Sequence, residues 1–568
     1  MIRPTAAPAG RSGTDGDSPA TFNLTSEPWV PVERLDGTVA ELSLREVFAN
    51  ADGLRRIVGD VPTQEPALLR LLLAILHDAL EGPAELEDWE ELWESPAPFT
   101  AALDYLDRHA PRFELFDAER PFFQVADLRT VKDEVAPLSR IVADVPTGSA
   151  LFSMRRPGVD RLSFAEAARW LLHAHAFDTS GIKSAMRGDE QRSRAGKVYP
   201  LGVGALGQLG GVFAEGAALR ETLLLNLVAF EEAYAGSTLA ERLDEDRPAW
   251  RREEPYGPGP RGERAGGPEP LGLRDLYTWQ TRRIRLCAEQ GAVTGVVLGY
   301  GDPLVQSAPW LLEPMSGWHR SPLLEKKQGR TPVYTPSRHD PEKSAWRGLA
   351  ALLPSRSQEG ERGDRGEPPK RLRAGITRWY TRIITESDMD PGKLVRLRLV
   401  GMVYGTQQSV IDEVVDDSVV LPVVTLHETN PVYGAAATDA ASDAEKAVDA
   451  LARLAGDLAL AAGVGHPDAA VASARNRSYA ALDGPYRAWL RNLARRPDLQ
   501  DARQEWRETV RRQVLRLAGQ EIESAGPAAH GGRVIDVPGR GGFLIDSGRA
   551  ELRFRTKLNQ ELGPPAGS

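Results

Sequence analysis

The residues whose types and spacing are most informative about function form a short turn, GMVYGTQQSVID, at 401–412. A basic alternating run at 393–400 leads into it, and the turn presents Thr406 beside two adjacent amides, Gln407 and Gln408. A glutamine side chain carries both hydrogen-bond donors and acceptors. On a turn that projects from a strand, such side chains can reach base edges or wedge into a nucleic-acid duplex. The alternative interpretation is a solvated surface loop.

A second candidate site is the basic loop KSAMRGDEQRSRAGK at 183–197, which follows Ser180 and Gly181. A turn built of small residues lets the backbone approach a nucleic-acid groove closely. Neighbouring cations, among them Lys183 and Arg187, can hold phosphates. A solvated loop without any partner is the alternative interpretation of the same residues.

The segment ALFSMRRPG, at 150–158, places Phe152 and Ser153 beside two guanidinium groups, Arg155 and Arg156. Stacking on an aromatic ring, together with neutralisation of phosphates, is how proteins grip single-stranded RNA. The segment therefore indicates an RNA contact, whereas the simpler alternative is a phenylalanine that anchors a loop to the core.

Arginines recur at helical spacing in the last part of the chain. They are Arg487, Arg491, Arg495, Arg503, Arg507 and Arg511. One side of a helical bundle built in this way could face DNA. Arginine is also a good helix former, and nearby acidic side chains can pair with it on a solvated surface, so that alternative stays open.

Signatures of catalysis or metal binding are weak. The pattern G-x-G-x-x-G at 202–207 follows a short, proline-broken segment instead of a buried strand, so we interpret it as a tight apolar turn. The isolated pair His339-Asp340 lacks the further ligands that a metal-dependent hydrolase needs. The single cysteine, Cys287, excludes an internal disulfide and a multi-cysteine zinc site. We therefore predict no catalytic residue, cofactor or metal.

Length and composition indicate how many domains the chain forms and which class of protein it belongs to. A chain of 568 residues exceeds one ordinary core, so two or three domains are expected. Hydrophobic content of 41% and charged content of 26% are typical of a soluble globular protein. There is no apolar run of about 18 residues, as a membrane span would need, and no signal-peptide core. A cytoplasmic protein without membrane contacts is expected, and its net charge of −10 leaves nucleic-acid contacts to local basic clusters.

Local patterns predict several helices. Ser43 and Ser163 precede helical segments as N-caps, and the apolar segment 66–80 predicts a buried helix. His173 and His175 lie two residues apart on the helix that follows Ser163, so we expect one packed and one solvated imidazole.

Helical apolar spacing dominates from about residue 436 onwards, which predicts a separate bundle. We therefore divide the chain into a disordered leader at 1–21, a mixed α/β domain at 22–430 that carries the candidate loops, and a C-terminal helical bundle at 431–568.

Six segments of the chain, taken in order, resemble the motifs of one protein family. They are FNLTSEPWVPV at 22–32, RPFFQV at 120–125, ALFSMRRPG at 150–158, SGIKSAMRG at 180–188, LRETLLLNLV at 219–228 and GMVYGTQQS at 401–409. The family is CasA, the large subunit of the type I-E CRISPR surveillance complex called Cascade. The resemblance spans nearly the whole chain from Phe22.

This resemblance implies an α+β fold in which a large mixed α/β N-terminal domain precedes a C-terminal four-helix bundle. It also implies a non-catalytic protein that recognises the short protospacer-adjacent motif (PAM) in double-stranded DNA and helps to open the duplex. The implied partners are the other Cascade subunits, the guide CRISPR RNA, the target DNA and a recruited helicase–nuclease. The target sequence itself is read by guide RNA pairing.

Roles for the candidate loops also follow from the resemblance. Phe152 and its neighbours would dock on the 5′ handle of the guide RNA. Ser180 and Gly181, with Lys183 and Arg187, would form the loop next to the minor groove of the motif.

In the same way, Thr406, Gln407 and Gln408 match the family's wedge, with Gln407 inserted beneath the motif. Three features depart from the family pattern. Serine stands at 180, where a relative can carry glycine, and the segment 299–310 contains no lysine for the minor groove. With one cysteine, the chain also cannot form the cysteine-rich zinc site that some relatives carry.

Two other functions remain as alternatives. The first is a cytosolic metal-dependent hydrolase or nuclease that uses His339, Asp340 and scattered acidic residues. The second is a structural scaffold that binds RNA and partner subunits without reading DNA.

Overall fold

The part of the chain that the computed structural model describes comprises residues 20–143, 159–235, 241, 243–261, 269–304, 313–353, 368–386, 390, 392–427, 430–537 and 541–564. The predicted leader at 1–21 lies outside these residues, apart from Ala20 and Thr21. None of the helices described has the length and apolar character that crossing a bilayer requires.

The strands pair antiparallel into small sheets, of which three have three strands in the orders β2-β1-β3, β10-β9-β11 and β13-β12-β6. In chain order the described strands are β1 Val30–Arg34, β2 Val39–Leu42, β3 Leu54–Ile57, β4 Lys183–Ser184, β5 Lys197–Val198, β6 Gly211–Glu215, β7 Arg282–Glu289, β8 Ala292–Tyr300, β9 Trp318–Arg320, β10 Tyr334–Pro336, β11 Arg371–Leu372, β12 Leu394–Tyr404, β13 Ile411–Pro422, β14 Arg533–Val537 and β15 Gly541–Ile545.

Helices surround these sheets and dominate the C-terminal part. In chain order the described helices are α1 Leu44–Ala49, α2 Gln64–Leu80, α3 Leu86–Glu94, α4 Thr100–His109, α5 Phe164–Phe177, α6 Leu219–Asn226, α7 Phe230–Ala233, α8 Leu273–Tyr277, α9 Pro322–Gln328, α10 Gly375–Glu386, α11 Val432–Ala462, α12 Asp468–Arg491, α13 Leu499–Ser524, α14 Gly526–Gly531 and α15 Ser547–Leu562. The long helix α11 packs against α12, α13 and α15. The predicted α+β class with a C-terminal helical region is confirmed.

Both predicted helix starts are confirmed by their hydrogen bonds. The Ser43 hydroxyl accepts from the Glu46 N–H, while the Glu46 carboxylate accepts from the Ser43 N–H. Ser163 and Glu166 repeat this reciprocal arrangement at the start of α5. Such a capping box satisfies backbone donors that the first turn of a helix leaves unpaired. The helix α2 is buried along nearly all its length, as its apolar sequence predicts.

The two histidines of α5 contradict the expectation of one solvated imidazole, because both are buried. The His173 Nε2 lies 2.8 Å from the Thr63 hydroxyl, and the His175 Nε2 lies 2.9 Å from the Phe123 carbonyl oxygen. Helix α5 packs against α2 and also against β7 and β8, so its two sides are both covered. Spacing along the helix could show that the rings diverge but not that both directions lead into the core.

Burial of these imidazoles makes the stability of the fold depend on pH. Removal from water lowers the pKa of His173 and of His175 from 6.5 to about 3, and that of His77 to about 4. Burial also raises the pKa of the Glu65 carboxyl from 4.5 to about 7. Below pH 6.5 the unfolded chain binds protons on three imidazoles that the folded chain leaves neutral. Glu65 offsets about one of these protons, since its folded form is protonated first.

We therefore expect the free energy of unfolding to fall as the pH falls from about 6.5 to 4.5, by roughly 2–3 kcal/mol per pH unit. Urea unfolding at a series of pH values measures this slope. Replacing His173 by glutamine is expected to reduce the slope by roughly one proton, or about 1.4 kcal/mol per pH unit. A stability that stays constant over this pH range would contradict the burial of these rings.

The hairpin of β12 and β13 carries the candidate turn at its tip. Its register runs from Leu394 opposite Pro422 to Tyr404 opposite Ile411. Arg398, in the basic alternating run of β12, is buried. Its guanidinium lies between Glu65 of the covering helix α2 and the side chains of the neighbouring strands β6 and β13.

Arg398 is held by three carboxylates from different elements. Its Nη1 lies 3.1 Å from Glu215 on β6 and 3.3 Å from Glu65 on α2, and its Nη2 lies 2.6 Å from Asp416 on β13. A buried guanidinium is stable only when such partners compensate its lost hydration. The network therefore fixes the base of the hairpin to the N-terminal core.

The bundle joins the same hairpin through aromatic and ionic contacts. Trp346, which precedes the bundle in the chain, stacks on Tyr486 of α12 with 4.5 Å between ring centroids. Its indole Nε1 donates to Asp483 of α12 at 2.9 Å. Arg487 of α12 in turn contacts Asp417 of β13 at 2.9 Å. The bundle is therefore packed directly onto the hairpin strand β13.

Candidate nucleic-acid interface

The turn with the two amides lies at the exposed tip of the β12–β13 hairpin. The Gly405 N–H donates to the Val410 carbonyl at 3.0 Å and closes the tip. Thr406 and Gln407 are exposed, while Gln408 is half-buried. Gln407 and Gln408 have φ of 55° and 56°, in the left-handed region, which non-glycine residues adopt at a cost. The tip is therefore a defined projection with the Gln407 amide facing solvent.

Hydrogen bonds join this tip to the loop after α5. The Ser180 N–H donates to the Gln408 carbonyl at 2.8 Å. The Tyr404 hydroxyl, at the end of β12, donates to the Phe177 carbonyl at 2.7 Å. Two candidate segments that are more than 200 positions apart in the chain therefore form one surface.

Ser180 and Gly181 have different environments within this loop. Ser180 is buried, and its hydroxyl accepts from the Gly202 N–H at 3.0 Å. Gly181 is half-buried, its φ is not left-handed, and an added Cβ would meet only the Thr179 hydroxyl oxygen at 3.9 Å. The fold therefore needs a side chain at 180 and has space for one at 181. The serine at 180 does not occupy the exposed side of the loop.

The glycine turn at 202–207 packs over the C-terminal end of α5. At Gly204 an added Cβ would lie 2.3 Å from the carbonyl carbon of Ala176, too close for any other residue. The Gly204 N–H donates to the Asp178 carbonyl at 2.9 Å. The turn therefore supports the loop that carries Ser180.

Lys183 is not the exposed cation that the sequence analysis predicts. Its side chain is buried and its Nζ contacts Asp178 at 2.6 Å, beside the buried Arg282. Burial lowers the pKa of this ammonium to about 8. The prediction that Lys183 holds a phosphate is therefore corrected: its charge stabilises the loop from inside.

Other cations of the same loop remain on the surface. Arg187 is exposed and pairs with the exposed Asp133. Arg194 and Lys197 are exposed, and in the described part of the chain neither has a carboxylate within 4 Å. These side chains can approach a phosphate backbone. The RNA-contact prediction for Phe152, Ser153, Arg155 and Arg156 falls outside the described residues.

The predicted row of bundle arginines divides into two groups. Arg487 contacts Asp483 at 2.8 Å as well as Asp417 on the hairpin, so it belongs to the joint between the bundle and β13. Arg503 and Arg507 pair with carboxylates within the bundle. Of the six arginines, Arg491 and Arg495 are exposed, and Arg511 donates to the Asn559 side chain of α15 at 2.6 Å. That Arg491 and Arg495 face DNA stays a prediction.

The hydrolase alternative finds no ligand set at His339. The His339 ring nitrogen Nε2 lies 2.9 Å from the Gly211 carbonyl oxygen, and Asp340 pairs with Lys343 at 3.2 Å. Across the described residues, no three histidine, cysteine, aspartate or glutamate side chains are grouped so that they could hold a metal ion.

Comparison with known proteins identifies the family of this chain. Residues 23–517 match the family model described as CRISPR-associated protein Cse1. The chain belongs to the Cse1 family. CasA is another name for Cse1, so the family suggested by the sequence motifs is confirmed.

Solved Cse1 structures share the fold over nearly the whole chain. The crystal structure of Thermobifida fusca Cse1 is 49% identical, with a TM-score of 0.85, and the match covers 96% of this chain and 98% of that one. A chain of a structure named CRISPR RNA-guided surveillance complex matches with 18% identity and a TM-score of 0.64, over 89% and 100% of the two chains. That likeness shows the fold alone.

A curated relative is the CRISPR-associated protein CasA/Cse1 of Thermus thermophilus. It is 32% identical over 339 residues. The match covers 59% of this chain and 60% of the relative, so it spans less than two thirds of that protein's length.

The sequence analysis did not identify two residues that position the tip of the β12–β13 hairpin. Tyr404 fixes the end of β12 to the end of α5 through its hydroxyl group. Arg398 anchors the base of the hairpin. The sequence places Arg398 between two leucines in an alternating run, but alternation does not show which element covers that side of the strand.

Proposed function

We propose that this chain is the large subunit of an RNA-guided CRISPR surveillance complex of the Cascade type. In this role it recognises a short protospacer-adjacent motif in double-stranded DNA and parts the adjacent base pair for guide RNA pairing. It then recruits a helicase–nuclease. Prising a base pair apart breaks no covalent bond, so this function needs no catalytic residue.

The observation that carries the proposal is the exposed amide tip beside Gly181. A wedge needs a rigid projection, and the Gln407 tip is held by the hydrogen bond from Ser180 to Gln408. A close approach to a groove needs a small residue on the surface, and Gly181 provides it where the fold would accept a larger one. Unstacking a base step costs a few kcal/mol, which pairing with the guide RNA offsets.

The RNA part of the proposal depends on sequence alone. Phe152, Arg155 and Arg156 supply the aromatic and cationic groups that a single-stranded RNA handle would contact. Co-purification of the chain with the host's other Cascade proteins, followed by sequencing of bound small RNA, tests the assembly. Recovery of CRISPR RNA supports it, and an assembly that forms without RNA overturns it.

Gly181 gives a sharper test of DNA recognition. Replacing it by valine is expected to change thermal unfolding little, because an added Cβ would have only the Thr179 hydroxyl oxygen within 4 Å, at 3.9 Å. Binding of the assembled complex to a duplex that carries the motif should weaken roughly tenfold or more, the equivalent of about 1.4 kcal/mol. Electrophoretic mobility shift with and without the motif measures the effect.

The same substitution at Gly519 on α13, where an added Cβ meets nothing within 4 Å, is the matched control. Gly519→Val is expected to leave DNA binding unchanged. If Gly181→Val binds the motif as tightly as the unmodified chain, the loop does not approach the groove.

A further inference from the structure

A cavity of about 440 Å³ lies where three parts of the fold meet. The hairpin strands β12 and β13, the sheet β10-β9-β11 and the segment Ala345–Ala351 before the bundle all contribute to its lining. Leu399 of β12, eight residues before Gln407 in the chain, lines it, whereas none of the tip residues Thr406, Gln407 and Gln408 does. It is therefore separate from the surface at the tip.

Positive charge dominates the lining of this cavity. The basic residues are Arg338, Lys343, Arg347, Arg371 and Arg373, with His319 and His339, against the acidic residues Asp340 and Asp417. Both acidic groups are already paired, Asp340 with Lys343 and Asp417 with Arg487.

Two of these cations are exposed and uncompensated. Within the described chain, neither Arg338 nor Arg371 has a carboxylate within 4 Å, although each is exposed at the cavity. Uncompensated guanidinium groups beside one concave surface attract an anion.

Rigid elements hold both arginines in place. Next to Arg338, the Ser337 N–H donates to the Gly317 carbonyl and the Ser337 carbonyl accepts from the Gly210 N–H, each at 2.7 Å. Arg371 lies on β11, directly opposite His319 of β9. Such fixed donors bind an anion without first losing conformational freedom.

An unused donor lies in the same lining. The indole Nε1 of Trp318 is buried, and no acceptor for it occurs among the residues described. This nitrogen is screened from solvent and therefore from the open space of the cavity. The cavity itself presents cations, while its acidic groups are neutralised.

We propose that this cavity binds the phosphate group of a nucleotide, either within a single strand of nucleic acid or in a free nucleotide. Guanidinium groups match phosphate oxygens geometrically, and the volume is in the range of small-ligand sites. The site is distinct from the wedge, because its lining includes none of the residues Thr406, Gln407 and Gln408.

The test compares the full chain with the double variant Arg338→Glu/Arg371→Glu. Fluorescence anisotropy of a labelled twelve-nucleotide single strand is measured over a range of salt concentrations, and calorimetry measures binding of adenosine monophosphate. Loss of two phosphate contacts is expected to weaken strand binding roughly tenfold and to reduce the salt slope by about 1.4. Arg338→Lys/Arg371→Lys, which keeps both charges, should retain most of the affinity.

A second double variant separates a local site from a change of net charge. Arg512→Glu/Arg516→Glu makes the same charge change on exposed positions of α13, where both arginines contact neutral side chains. It is expected to bind the strand almost normally. Circular dichroism melting of each variant verifies that the fold is retained.

The outcomes are distinct. Loss of strand binding assigns the site to nucleic acid, and loss confined to adenosine monophosphate assigns it to a free nucleotide; both support phosphate recognition. If binding of neither ligand is affected, or if the α13 variant weakens binding equally, the proposal is overturned.

Discussion

Replacing Gln407 by alanine is expected to reduce opening of a target duplex by roughly tenfold or more, because a wedge acts against an unstacking cost of a few kcal/mol per base step. The substitution removes the exposed amide but leaves the hydrogen bond from Ser180 to the Gln408 carbonyl, which involves only backbone atoms. Assembly with guide RNA should therefore be nearly normal. The defect would lie in strand separation and not in complex formation.

Permanganate reactivity of thymines next to the motif measures opening of the duplex, and small-RNA content measures assembly. Gln407→Asn keeps an amide on a shorter side chain and suits the left-handed backbone, so an intermediate result is expected. Gln500→Ala, at an exposed position of α13, is the matched control and should have no effect. If Gln407→Ala opens the duplex as well as the unmodified chain, the scaffold alternative is favoured over the wedge.

A different outcome would favour the hydrolase alternative. Metal-dependent nuclease activity of the purified chain, lost on replacing His339 by alanine, would contradict a non-catalytic subunit. The hydrogen bond of His339 to the Gly211 carbonyl leads us to expect a change of stability from that substitution and no nuclease activity to lose.

Replacing Arg398 by methionine should have the largest effect on stability, with a loss of roughly 3–5 kcal/mol, as expected when one partner of a buried ion pair is removed. The substitution leaves Glu65, Glu215 and Asp416 close together without their shared cation. Burial already raises the pKa of Glu65 to about 7, and loss of the guanidinium would raise it further. The destabilisation should shrink as the pH falls, since protonation removes the repulsion.

Urea unfolding at pH 8 and pH 6 tests this expectation. Arg396→Met, on the same strand, is the matched control, because Arg396 is 43% exposed and lies 3.5 Å from Glu215. A partly exposed pair of this kind contributes about 1 kcal/mol or less. Equal losses for the two variants, or a loss for Arg398→Met that does not depend on pH, would contradict the buried network.

The Arg398 variant also tests how the tip is positioned. The network joins the hairpin to α2 and β6, whereas Tyr404 and Ser180 fix the tip to the end of α5. If the base of the hairpin loosens, the Gln407 side chain loses its fixed direction. Duplex opening by the Arg398→Met complex should therefore fall under conditions in which the chain is still folded.

Features that depend on neighbours in the chain could be predicted from the sequence. Ser43 and Ser163 were identified as helix caps because a capping box involves residues only three positions apart. The helical C-terminal region and the turn at Gln407 follow from local periodicity and composition in the same way, whereas the α+β class was implied by the family resemblance. The family could be suggested because its motifs are short contiguous segments that keep their order.

Features that depend on distant partners could not. No sequence pattern indicated that Ser180 would bond to Gln408, that Lys183 would be buried against Asp178, or that Arg487 would join the bundle to β13. From the sequence alone, a charged side chain is expected to be exposed to solvent. Whether it is buried or ion-paired depends on which surfaces tertiary packing brings together. The sequence thus determined which groups the molecule carries, and the packing of α2, α5, β6 and α12 decided which of them face a ligand.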